Sequence, residues 1–184
     1  MKGIIFTEFL EMIESGFSPA LADHILSASD LQSGGVYTAV GTYDPQEMVQ
    51  LVVQLSSTTG LAIPDLLRTF GKHLFGCFAV GYPHFFVGVD SAFAFLQNIE
   101  GYIHVEVRKL YPDAALPRFT YEAADPQQLT MIYQSVRPFA ALAEGLIMGC
   151  IEHFGEPIDV QCQDLSDGQG TCARFSLTKR RSTI

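Results

Sequence analysis

The sequence has no tryptophan, only four cysteines, and 11 lysines and arginines against 20 aspartates and glutamates. Its basic residues form no patch before Lys179, Arg180 and Arg181 near the end, which argues against a nucleic-acid partner. No apolar run approaches the length of a membrane span. Four cysteines in 184 residues are also too few for a disulfide scaffold.

The first residues are apolar but do not form a signal peptide. Glu8, Glu11 and Glu14 follow at helical spacing, whereas a signal peptide has an uninterrupted apolar core. We therefore expect a cytoplasmic protein that makes no use of a membrane. Apolar residues make up 48% of the chain and 14 residues are phenylalanine, which leaves room for an apolar ligand pocket besides the core.

Helical periodicity dominates the first part of the chain, and alternating polar and apolar residues follow Pro112. The pattern predicts an α+β fold in one domain, with an N-terminal helical lobe at about 1–60 packed on an antiparallel sheet lobe with helices at about 61–184. The predicted helices cover 2–16, 18–27, a segment from Pro45, 64–82, 90–112 and 138–154. The predicted hairpins turn at Asp125-Pro126 and at 166–170.

The stretch from Asp90 to Pro112 is typical of one long amphipathic helix, and His104 lies beside its apolar stripe. Gly101, three residues earlier, is a poor helix former, and its lack of a side chain would let a flat body approach. His104 is therefore a candidate axial ligand for haem. A structural role in the core is the alternative for a single histidine in this position.

Tyr133, Ser135 and Arg137 alternate near the end of a predicted strand. If the strand stays extended, the three side chains project to one side. A phenol, a hydroxyl and a guanidinium together suit a pair of carboxylates, such as the two propionates of haem. The alternative is three unrelated polar residues at a partly exposed strand end.

The N-terminal MKGIIFTEFLE, the helical His104 and the later Tyr-x-Ser-x-Arg together resemble the H-NOX family. These are haem–nitric oxide/oxygen binding domains, related to the haem domain of soluble guanylate cyclase. The resemblance covers essentially the whole chain. It implies that His104 is the proximal ligand of haem b and that Tyr133, Ser135 and Arg137 hold the propionates. It also implies that Pro117 presses on and distorts the macrocycle.

Family members that bind oxygen carry a distal tyrosine, and this chain has Leu142 at the corresponding position. The facing residues are expected to be Phe9 and Leu74, with Ile5 and Leu146 also lining the pocket. Bound O₂ needs a hydrogen-bond donor, whereas NO binds ferrous haem strongly without one. The resemblance therefore implies a pocket that selects NO, also binds CO and excludes O₂.

A second metal site is suggested by Cys150, His153, Cys162 and Cys172. Cys150 and His153 share a helix face, and Cys162 and Cys172 flank the last hairpin equally about Asp167. Three sulfurs and one imidazole form the ligand set of a structural zinc site, which some bacterial H-NOX proteins carry. A cross-strand disulfide or buried free thiols are the alternatives. For His73 and Cys77 we expect only a solvated or locally bonded ring and a core thiol.

The sequence as a whole predicts a haem sensor and not an enzyme, because no catalytic triad or phosphate loop stands out. The resemblance implies a separate effector, either a histidine kinase or a cyclic-di-GMP enzyme (a diguanylate cyclase or phosphodiesterase). Two alternatives remain open at this point. One is a zinc-stabilised ligand- or protein-binding module without haem, and the other is a haem enzyme such as a peroxidase.

Overall fold

The fold was analysed in a computed structural model that describes residues 1–180, so Arg181 lies outside the described residues. Seven α-helices and a four-stranded antiparallel sheet in this part of the chain confirm the α+β prediction. No helix within it is both long and apolar enough to cross a membrane. The α-helices are α1 Gly3–Gly16, α2 Pro19–Ala28, α3 Pro45–Thr59, α4 Ile63–Gly81, α5 Ala92–Gln97, α6 His104–Leu110 and α7 Ala140–Phe154.

Side-chain caps fix where three of these helices begin. The hydroxyl of Ser18 accepts from the Leu21 N–H at 3.2 Å, and the carboxylate of Asp44 accepts from the Gln46 N–H at 2.9 Å. Pro19 and Pro45 occupy the first helical positions, where no N–H is needed. Ser91 caps α5 in the same way, through the Ala94 N–H.

The predicted continuous helix from residue 90 to 112 is interrupted. After α5 the chain forms a π-helix at Ile99–Ile103, and α6 then begins at His104 itself. The N–H of Ile103 bonds to the Asn98 carbonyl at 3.1 Å, which is the wider i→i−5 connection of a π-helix. Because a π-helical turn holds one residue more than an α-helical turn, the residues before His104 lie on a different helix face from the one predicted for a continuous α-helix.

The sheet has the order β1-β2-β4-β3, with β1 at Arg118–Ala124, β2 at Gln128–Gln134, β3 at Ile158–Asp164 and β4 at Cys172–Lys179. The β1–β2 hairpin turns at Asp125, as predicted. Its carboxylate accepts from the N–H groups of Gln127 and Gln128 at 2.7 and 2.8 Å. Such a local bond closes the turn without a tertiary partner.

Two hydrophobic clusters form the core, and both are built on α4 and α7. The first cluster joins α1–α3 to Leu66–Leu74 of α4 and to Leu142 of α7. The second joins the sheet, α5 and Phe75 of α4 to Ile147 of α7. Between the two helices, Gly71 and Gly145 allow the backbones to touch, since a Cβ on Gly145 would lie 2.2 Å from the Arg68 carbonyl oxygen.

Candidate functional site

A cavity of about 380 Å³ lies where the two hydrophobic clusters meet. Its size is within the range of roughly 300–1,000 Å³ typical of ligand sites. The predicted haem-site residues that line it are His104, Tyr133, Ser135, Arg137, Pro117, Ile5, Leu74, Leu142 and Leu146. Elements far apart in sequence therefore contribute to one concave, mostly apolar site.

His104 enters this cavity from the first residue of α6 and is only 8% exposed. Its ring Nδ1 lies 3.0 Å from Oε1 of Glu100, one turn earlier, and this leaves Nε2 as the nitrogen available to a ligand. The same carboxylate oxygen accepts from the Phe119 backbone N–H at 2.8 Å, so β1 holds the carboxylate in place. Burial lowers the pKa of His104, which favours the neutral imidazole that ligates metals.

Tyr133, Ser135 and Arg137 line the same cavity, although the strand does not continue through them. β2 ends at Gln134, and the Arg137 N–H then bonds to the Ser135 hydroxyl at 3.1 Å in a turn. The Arg137 guanidinium donates to the Ala115 carbonyl at 3.1 Å, two residues before Pro117. Tyr133 is 2% exposed, and burial raises the pKa of its phenol, which keeps the hydroxyl a donor. The three side chains face one cavity, as predicted, but a turn after β2 brings them there and not the alternation of an extended strand.

Two predicted features of the pocket are wrong. Phe9 lies one helical turn beyond Ile5 and is fully buried in the first cluster, edge-on to Phe70 at a ring distance of 5.0 Å, rather than in the cavity wall. Gly101 is exposed, and a Cβ there would meet no atom within 4 Å. The π-helix turns residue 101 away from the cavity, so its lack of a side chain does not serve the approach of a flat body.

Sequence reasoning missed two charged residues of the site. Glu100 was detectable, because a carboxylate four residues before a histidine on a helix can reach its ring. Lys2 lines the cavity mouth, where its ammonium bonds to Thr42 at 2.7 Å and to Asp113 at 3.1 Å. No sequence pattern links these three residues, because Lys2 precedes α1, Thr42 lies between α2 and α3, and Asp113 follows α6.

The final hairpin does not bring Cys162 and Cys172 opposite each other, as the predicted zinc site requires. Cys162 pairs with Phe175 instead of Cys172, and the backbone of Cys172 bonds to the Leu165 N–H at 2.9 Å. The register is set by Asp164, whose carboxylate accepts from the Ser166 hydroxyl and the Gly168 N–H, both at 2.6 Å. The loop is therefore not symmetric about Asp167.

The two predicted zinc ligands on α7, Cys150 and His153, also face other parts of the structure. Cys150 is fully buried, with its sulfur 4.0 Å from the Ala92 carbonyl oxygen. The ring of His153 lies 4.8 Å from that of Phe86 and 5.8 Å from that of Phe75, in an aromatic cluster. Within residues 1–180 the four predicted ligands do not converge. The Cys₃His zinc prediction is therefore wrong. The three cysteines are free thiols, but of the buried thiols named as an alternative only Cys150 is buried, since Cys162 is exposed and Cys172 is half-buried.

Comparison with known proteins identifies the family and the fold. The model of the haem-NO-binding family matches residues 2–162. The chain belongs to the H-NOX family. An H-NOX protein mutant, A71G, from K. algicida, solved as unliganded Fe(II), is 41% identical with a TM-score of 0.95, over 100% of this chain and 98% of that one.

Other H-NOX structures were solved with gases bound. The protein from Shewanella woodyi, in the Fe(II)CO state with IWP-051, is 40% identical with a TM-score of 0.83, over 100% of this chain and 97% of that one. The protein from S. oneidensis, in the Fe(II)NO state, is 24% identical with a TM-score of 0.89, over 98% and 100% of the two chains, and shows the fold alone. No curated protein matches the chain.

The residues of this H-NOX domain fit the haem that its family binds. The buried His104 imidazole has one ring nitrogen engaged by Glu100 and one free, and the cavity around it is mostly apolar. The Tyr133 and Ser135 hydroxyls and the Arg137 guanidinium add donors suited to carboxylates. H-NOX domains are haem-based gas sensors, and the comparisons indicate no enzyme family.

Proposed function

We propose that this H-NOX domain is a nitric oxide sensor that holds haem b and signals to a separate effector. The observation that carries the proposal is His104, a buried imidazole in the wall of an apolar cavity, oriented by Glu100. Such a carboxylate partner fixes the tautomer of a metal-ligating histidine and leaves Nε2 for the iron. When bound, haem would supply a ferrous centre that takes small diatomic gases.

Tyr133, Ser135 and Arg137 would hold the two propionates of the group. The Arg137 guanidinium is already positioned by the Ala115 carbonyl, so little side-chain freedom is lost on binding. Pro117, two residues beyond Ala115, lines the same cavity and would press on the macrocycle. The resemblance to the family supports both assignments.

Selectivity for NO would come from the lack of a hydrogen-bond donor in the apolar part of the cavity wall. Ile5, Leu74, Leu142 and Leu146 line the cavity and carry no hydrogen-bond donor. Bound O₂ would lack the donor it needs, while NO and CO would not require one. The Fe(II)CO state of the S. woodyi relative, at 40% identity, is consistent with a gas-binding site of this kind.

Signalling would use the two attachments of the group. His104, at the start of α6, and Tyr133, on β2, would hold the group from two separate elements, so a change at either attachment would alter how α6 packs against β2. Ile5 of the helical lobe (about 1–60) lines the same cavity, so this change would shift that lobe relative to the sheet lobe (about 61–184). A cytoplasmic histidine kinase or cyclic-di-GMP enzyme that prefers one arrangement would read this change.

The test is the absorption spectrum of the reduced protein under anaerobic conditions, before and after NO, for wild type and His104→Gly. Wild type should show a Soret band that shifts with NO, and the variant should recover the reduced spectrum only with added imidazole. His84→Gly, a change in the short 3₁₀ segment at Pro83–Phe86, is the matched control and should behave as wild type. A wild-type protein without a Soret band after haem reconstitution would contradict the proposal. A stable oxy spectrum of the ferrous protein in air, distinct from both the reduced and the ferric spectra, would refute the exclusion of O₂.

A further inference from the structure

Three potential metal ligands from two helices converge outside the haem cavity. The ligand atoms of Glu8 on α1 and of His73 and Cys77 on α4 all lie within 4.8 Å of one another. His73 Nε2 is 3.4 Å from the Cys77 sulfur and 3.7 Å from Glu8 Oε2. Neither His73 nor Cys77 belongs to the zinc set suggested by the sequence, and none of the three residues lines the cavity.

The two distances from His73 Nε2 are close to the edges of a tetrahedral zinc site. With Zn–S of about 2.3 Å and Zn–N and Zn–O of about 2.0–2.2 Å, tetrahedral angles place sulfur about 3.5 Å from nitrogen and nitrogen about 3.4 Å from oxygen. The 3.7 Å between His73 and Glu8 is too long for a hydrogen bond. It differs from the zinc edge by a few tenths of an ångström, which a small rotation of a side chain removes.

The local structure already positions the ligands. His73 and Cys77 are four residues apart on α4, so they share one face of the helix, and α1 packs against α4 to bring Glu8 to the same place. The side chains of His73 and Glu8 are 26% and 19% exposed, which gives an ion a path from solvent. Three protein ligands would leave the fourth tetrahedral position to water, as in an open zinc site.

We propose that Glu8, His73 and Cys77 form a site for Zn²⁺ that links α1 to α4. The mixed sulfur, nitrogen and oxygen set suits a borderline divalent ion, whereas Mg²⁺ and Ca²⁺ require six or more oxygen ligands. Leu74 and Phe78, each adjacent in sequence to one of the two α4 ligands, line the haem cavity. Zinc would therefore hold α1 and α4 together directly behind the cavity wall.

The experiment is equilibrium dialysis of the haem-loaded protein against zinc chloride after chelator treatment, with bound metal measured by mass spectrometry. Wild type should bind one equivalent. Cys77→Ser, His73→Gln and Glu8→Gln should each weaken binding at least tenfold. Cys162→Ser and His24→Gln remove the same kinds of ligand from exposed positions and should leave zinc binding unchanged. Melting temperatures measured with chelator present should agree among all variants, so that loss of metal is separated from loss of fold.

X-ray absorption at the zinc edge supplies a second readout. One sulfur at about 2.3 Å with nitrogen and oxygen neighbours at about 2.0–2.2 Å is expected. Zinc retained by the triple variant Glu8→Gln/His73→Gln/Cys77→Ser, or a shell with two or more sulfurs, would overturn the proposal. So would a wild-type protein that binds no zinc. None of these results depends on the response of the haem to NO.

Discussion

The His104 ring and the Glu100 carboxylate lie 3.0 Å apart, and the same carboxylate oxygen accepts the Phe119 N–H at 2.8 Å. Glu100 thus joins the proposed iron ligand to the first strand of the sheet. The carboxylate can only accept, so Nδ1–H donates, and the negative charge makes the imidazole a stronger electron donor.

We therefore expect Glu100→Gln to lower the iron–histidine stretching frequency in the resonance Raman spectrum of the reduced protein. Haem loss should become about 10-fold faster, as is usual when the partner of a metal-binding histidine is removed. Glu106→Gln is the control, because Glu106 lies on α6 with His104 but pairs with Lys109 at 2.5 Å. An unchanged frequency in Glu100→Gln would show that the contact does not influence the ligand.

Arg137→Ala should speed the loss of haem while leaving the gas spectrum of the loaded protein unchanged. A charge-assisted bond contributes about 1.5–3 kcal/mol, which corresponds to roughly a 10- to 100-fold change. The measurement is transfer of haem to excess apomyoglobin. Arg118→Ala, an exposed arginine at the start of β1 that does not line the cavity, should lose haem at the wild-type rate. Equal rates for the two variants would remove Arg137 from the propionate site.

Gly71→Ala should destabilise the protein, because its Cβ would lie 2.4 Å from the Leu142 carbonyl oxygen, and backbone cannot give way as a side chain can. Overpacking of this kind costs about 1–3 kcal/mol in the free energy of unfolding, measured by urea denaturation. Gly76→Ala on the same helix meets no atom within 4 Å and should stabilise by about 0.5–1 kcal/mol. Similar effects for both variants would mean that α4 and α7 do not approach as closely as described.

Glu47 gives the stability of the N-terminal helices a pH dependence. It is 4% exposed, and its carboxylate accepts from Ser33 N–H at 3.0 Å, the Ser33 hydroxyl at 2.5 Å and the Tyr37 hydroxyl at 2.6 Å. Burial alone would raise the pKa of Glu47, but these hydrogen bonds outweigh it and the pKa is lowered. The stabilisation is therefore fully present above the unfolded pKa of about 4.3 and is lost as the pH falls through the lower folded value.

Glu47→Gln should accordingly lower the free energy of unfolding by about 1–3 kcal/mol at neutral pH. The difference from wild type should shrink below about pH 4, where the carboxylate of the unfolded chain is protonated. Denaturation curves at several pH values measure this. Glu14→Gln, on the exposed face of α1, should show no such dependence. A difference from wild type that stays constant at all pH values would mean that ionisation of Glu47 is not the cause.

The features predicted correctly from the sequence depend on short-range chemistry. Asp44 followed by Pro45 predicts a helix start, and Asp125 predicts a hairpin turn, because the side chain bonds to backbone within three residues. The resemblance, carried by residue type and order, also named His104 and Arg137; both line one cavity, and their roles towards haem stay predictions. None of these inferences needed knowledge of a distant partner.

The wrong predictions concern segments in which the hydrogen-bond register determines where a side chain points. A π-helix keeps an apolar stripe, so the spacing around Gly101 predicts an α-helix although the turn holds one more residue. At the last hairpin, equal distances from Asp167 suggested that Cys162 and Cys172 pair, but bonds to the Asp164 carboxylate shift the register by three residues. Phe9 shares a helix face with Ile5, and only the tertiary packing places it against Phe70 instead of the cavity.

The glycine contact between α4 and α7 has a consequence for how any motion of this molecule should be observed. Both hydrophobic clusters use the two helices, and Arg68 and Glu144 join them by an ion pair at 2.7 Å. Backbones in direct contact cannot slide without a clash. The α4–α7 pair is thus a fixed frame of reference. A spectroscopic label attached to it gives an origin, and displacement of α1 or α6 can be measured from that origin as a change in distance.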